Sequence, residues 1–123
     1  MKSGLKLALT LSVGIATPAV GVSPEEENFD KLIEASTRCL KQEVDSQIPP
    51  GQIEINDEQR TKIRIIAAKA CHDYDRQLAG FTDVVLSGKK SVAEVSEQLL
   101  VNSLNIADAN VSMRLKLNNE NAD

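Results

Sequence analysis

The chain has 123 residues, 41% hydrophobic and 26% charged, and its 14 basic against 18 acidic side chains leave a net charge of −4. That length suits one small domain, and the supply of Leu, Ile and Val is large enough to build a core. A pI near 5.0 and the lack of a Lys/Arg cluster exclude nucleic acid as an expected partner, because phosphate neutralisation needs such a cluster.

Residues 1–21 read as a secretory signal peptide. Lys2 and Lys6 give a basic start, Leu7 to Ala16 form an apolar run, and small residues surround Ala19 and Gly21. The run is shorter than the roughly 20 apolar residues a membrane helix needs, and Pro18 follows it, so stable membrane insertion after cleavage is not expected. Cleavage fits after Ala19 or after Gly21, and the second leaves Ser23 free to begin a helix. No cysteine follows the run to carry a lipid anchor.

Three helices are expected over residues 22–117. Ser23, Pro24 and Glu26 form a capping signature for the first, in which Phe29, Ile33, Leu40 and Val44 share a face, while Glu27/Lys31 and Glu34/Arg38 are spaced for ion pairs. The acids Glu25, Glu26 and Glu27 suit the positive end of the helix dipole. This helix should end near Val44, ahead of Pro49-Pro50-Gly51, whose last two residues fit the centre of a type II turn. Ile53 and Ile55 should cover one end of the core.

Asn56 and Gln59 open the second helix. Ile63, Ile66, Ala67, Ala70, Tyr74, Leu78, Phe81 and Val85 then recur at steps of three and four. Gly80 introduces a possible break near Ala79, and Gly88 reads as the stop. Ser91 and Glu94 cap the third helix, Val92 to Leu117, and residues 118–123 form a polar tail. The apolar arc of this helix is wide. One flank carries Val92, Val95, Leu99, Ile106, Met113 and Leu117; the other carries Leu100, Leu104, Ala107, Val111 and Leu115. Ser96, Ser103 and Asn110 run between them. Such a helix either lies in the groove between two others or offers one flank to a second copy or another protein. Ser96, Leu100, Ser103, Leu104, Asn110 and Val111 are the candidate interaction face. The fold class expected is therefore all-α, an antiparallel three-helix bundle.

Two cysteines in an exported chain imply one disulfide, Cys39–Cys71, joining the first two helices. No Cys-x-x-Cys pair is present, and the lone histidine, His72, leaves the helix about 100° from Cys71, which argues against thiol chemistry. In His72-Asp73-Tyr74-Asp75-Arg76, an inward Tyr74 sends His72 and Arg76 to solvent and leaves Asp73 to pair with Lys69. No metal site is expected from one histidine. Haem is not expected either, with neither a Cys-x-x-Cys-His segment nor an inward histidine. The sequon at Asn110 lies in the apolar arc, where a glycan does not fit.

No nucleophile, base and orienting group fall in compatible phase, so an enzyme is not expected and no cofactor is implied. The leading function is a small exported protein-binding module: an inhibitor, an immunity-type antagonist, or an accessory or chaperone subunit, periplasmic or secreted. Its partner is another protein, or a second copy through the third helix. The alternative is a carrier holding a small apolar ligand between the helices.

Overall fold

The computed structural model describes residues 24–122. The expected leader at residues 1–21 and the expected cap at Ser23 lie outside the described residues. The protein is mostly helical, with no strand among the described residues, and runs α1 (Pro24–Gln47), α2 (Asp57–Ala70), α3 (His72–Ala79), α4 (Asp83–Leu86) and α5 (Val92–Glu120).

Five helices replace the three expected, because the long second segment is cut twice. The cut at the end of α3 falls where Gly80 suggested it. Phe81 and Thr82 donate backwards to the Leu78 and Ala79 carbonyls, tightening the last turn, and the chain becomes extended at Thr82. The other cut carries no glycine or proline. Cys71 has φ −103° and ψ 9°, outside helical values, and separates α2 from α3.

Local sequence fixes the remaining boundaries. Asn56 accepts from the Gln59 amide while the Gln59 side chain accepts from the Asn56 amide, and Ser91 and Glu94 repeat the arrangement at the start of α5. These reciprocal bonds satisfy amide donors that a helix start otherwise leaves open. Gly88 stands at φ 79°. Its amide reaches the Val85 carbonyl and the Lys89 amide reaches Val84, a closing motif that needs a left-handed residue. Between α1 and α2, Gln52 donates to the Pro49 carbonyl at 3.1 Å. A turn forms there, but Gly88 alone among the described glycines has positive φ, so the expected type II geometry is replaced by one that needs no left-handed residue.

Three ridges at four-residue spacing meet in the core: Leu40, Val44 and Ile48 from α1 and its exit, Ile63, Ala67 and Cys71 from α2, and Ala107 and Val111 from α5. Rows at this spacing interlock between helices, and alanines let the backbones approach. Tyr74, Leu115, Cys39 and Ile55 pack around this cluster. Ile55 thus covers the core as expected, whereas Ile53 is exposed. Helix α5 packs on α1, α2 and α3, and α1 also packs on α2 and α3.

Both long helices overrun their expected ends, α1 to Gln47 and α5 to Glu120. For α5 the reason is polar. Asn118, assigned to a polar tail, is buried and donates to the carbonyls of Pro49 at 2.9 Å and Gln52 at 2.6 Å, while Arg114 donates to Ile48 O at 3.2 Å. The last turn is fastened to the proline turn.

Candidate functional site

Cys39 and Cys71 are joined, with their Cα atoms 6.0 Å apart. Cys71 is fully buried and Cys39 sits at the edge of the core. The bond ties the middle of α1 to the α2–α3 joint, and no free cysteine is present among the described residues.

Most of the candidate interaction face on α5 lies inward. Ser96, Ser103 and Val111 are buried within the molecule, and Leu100, Leu104 and Asn110 are half-buried. A helix that touches three neighbours buries a wide arc, and the serine line is the middle of that arc. Ser96 donates to its own helix at Ala93 O, 3.0 Å away. The Asn110 Nδ2 atom is buried without a hydrogen-bond partner among the described residues. It is the atom to which a glycan on the sequon would attach.

What α5 leaves outside is its other flank. Ile106, Met113 and Leu117 are 41%, 59% and 43% exposed, and Ile33 of α1, which with Ile106 and Leu99 lines one shallow hollow, is 41% exposed. Spacings of seven and four along α5 keep these residues on one side of the helix.

His72 and Asp75 form the arrangement that the helical phase did not foretell. The Asp75 carboxylate is buried between α3 and α5; Ser103 Oγ donates to its two oxygens at 3.1 and 3.3 Å, and His72 Nδ1 lies 3.0 Å away. His72 is half-buried rather than solvent-facing. The expected Asp73–Lys69 pair does not form, and Asp73 pairs with Arg76. The break at Cys71 interrupts the phase carried from α2: His72 turns partly inward, while Tyr74 still packs on the core and Arg76 is still exposed, as expected. The carboxylate stands between the serine and the imidazole, so the imidazole has no direct path to the hydroxyl proton. That geometry holds helices together and does not activate a nucleophile. No cluster able to hold a metal ion is found among the described residues.

Along the other side of α5, Arg60 donates to the Asp108 carboxylate at 2.6 Å and Arg64 donates to Leu104 O at 3.4 Å. The hydrogen bond from Arg60 holds the Asp108 carboxyl below its ordinary range, burial opposes this, and the charges of Arg60 and Arg64 add to the lowering. A depressed folded-state pKa contributes stability above the unfolded value of about 3.9, and the contribution is lost as pH falls through the folded value. Asp108 is 40% exposed, so Asp108→Asn should lower stability at pH 7 by less than about 1 kcal/mol. Urea unfolding at pH 7 and at pH 3 checks the sign: the difference between wild type and variant should shrink at the lower pH.

No protein-family model, curated protein or solved structure matches the chain. Function rests on geometry alone. No described helix is long and apolar enough to cross a membrane.

Proposed function

We propose that the protein is exported, loses residues 1–21, and acts in the periplasm or outside the cell as a non-enzymatic protein-binding module, an inhibitor, antagonist or accessory subunit. The disulfide supports the compartment, since such bonds persist where the surroundings are oxidising. In this reading α1, α5 and the broken α2–α3 rod make up a three-helix bundle, and the binding face is the outward flank of α5.

The observation that carries the reading is the apolar row Ile106, Met113 and Leu117 with Ile33 beside it, all more than 40% exposed. Contiguous exposed apolar surface marks interaction sites more often than scattered single residues do. Met113 adds a pliable side chain of the kind that adapts to a partner.

The test is a photo-crosslinking residue placed at Met113 in the native host, with Asn105, exposed but about 80° round α5 from Met113, as control. A discrete adduct from position 113, absent from position 105 and lost with Ile106→Asp, is the expected result. No adduct at 113, or the same adducts from both positions, overturns the binding face. N-terminal sequencing of the protein recovered from the envelope or medium should begin at Val22; an uncut chain retained in the cytosol overturns the export reading.

A further inference from the structure

A second surface, away from the α5 flank, carries different chemistry. A cleft of about 720 Å³ lies between α1 and the end of α3, with Leu32, Ala35 and Phe81 supplying its apolar wall and Lys31, Glu34 and Arg38 its charged side. Its size falls in the range of about 300–1,000 Å³ common to small-molecule sites. Phe81 is fixed at one end by an edge-on contact with Phe29, ring centroids 5.9 Å apart. Arg38 lies nine residues beyond Phe29 along α1, about 13 Å at the helical rise.

The charges in the cleft are unequally used. Lys31 is paired with Glu27 at 3.2 Å, as the spacing predicts. The matching pair Glu34 and Arg38 does not form, and Arg38 has no hydrogen-bond or ion-pair partner among the described residues. An unpaired guanidinium with five donors thus stands at one end of an apolar trough whose other end is an aromatic ring.

We propose that this cleft binds one anionic amphiphile, a medium-chain carboxylate, with its head group on Arg38 and its chain along Leu32, Ala35 and Phe81. A guanidinium matches a carboxylate with two parallel hydrogen bonds, which gives the head group a defined seat that an alcohol or a quaternary amine does not share. The site goes beyond the protein-binding reading: it uses α1 and α3, and leaves Ile106, Met113 and Leu117 untouched.

Calorimetric titration of the disulfide-intact protein with dodecanoate, below the concentration at which it forms micelles, tests the site, with dodecanol and dodecyltrimethylammonium as comparisons. The expected result is one-to-one binding of dodecanoate, weakened roughly tenfold to a hundredfold by Arg38→Gln and by the use of dodecanol, with dodecyltrimethylammonium not bound. Arg38 is exposed, so Arg38→Gln should keep the helical spectrum and melting temperature of the wild type, and Ala35→Trp should block binding by filling the trough. Equal affinity for dodecanoate and dodecanol, unchanged affinity in Arg38→Gln, or no heat with dodecanoate at all overturns the proposal. Binding to phosphatidylglycerol vesicles without binding of monomeric dodecanoate also overturns it, by placing the cation at a lipid surface.

Discussion

Replacing both Cys39 and Cys71 with alanine should lower the free energy of unfolding by roughly 3–4 kcal/mol at 25 °C. The bond spans 32 positions, and closing a ring of that size removes conformational freedom chiefly from the unfolded chain. Against a total of roughly 5–15 kcal/mol for a domain of this size, the loss is a large fraction. Urea unfolding of wild type and double variant should show a much lower midpoint, together with a steeper dependence on urea because the uncrosslinked chain exposes more surface. A difference under about 1 kcal/mol would mean that the ring contributes little, and that packing alone holds α1 against the α2–α3 joint.

Leu40→Ala is the second large effect, about 2–5 kcal/mol. Leu40 is fully buried in the middle of the core ridge that continues through Val44 and Ile48. Removing its branched end deletes contacts with no water to replace them and leaves a space that the alanines at 67 and 107 are too short to fill. Ile33→Ala is the contrast. Ile33 lies two turns earlier on α1 and is 41% exposed, so its truncation should cost under about 1 kcal/mol. Thermal unfolding of the two variants side by side separates the core of α1 from its outer flank. Similar losses from both would mean that the flank is covered in solution, as self-association would cover it.

The features legible in the sequence are those written in a few adjacent residues. The caps at Asn56 and Ser91 and the stop at Gly88 need only local chemistry, and the structure has all three. The disulfide was legible from parity, since two cysteines allow one pairing. The break at Cys71 was not, because neither glycine nor proline marks it. It falls at the bridged residue itself, and with it went the phase of His72. Which side of α5 turns inward was not legible for a related reason. Periodicity gives the width of an apolar arc but not its centre, and Ser96, Ser103 and Asn110 fit equally well as the middle of a buried arc or the seam of an outer one. Contacts from residues distant in the chain, such as Ser103 to Asp75 and Asn118 to Pro49, decide between them. The same holds for Arg60 and Asp108, 48 residues apart, whose pairing has no signature in either neighbourhood.

The covalent ring between residues 39 and 71 has a topological consequence for α5. It locks α1 to the α2–α3 joint and leaves α5 attached through the backbone alone, by way of α4 and the exposed segment around Gly88. A partial opening that keeps the ring closed could release α5 but could not separate α1 from the α2–α3 joint. Two copies that exchange this helix rebuild every contact it makes, including the Asp75 and Arg60 bonds, without breaking a sulfur bridge. Residues 87–91 are then the hinge of a swapped dimer, and a shorter connection there would favour the exchanged form over the closed monomer.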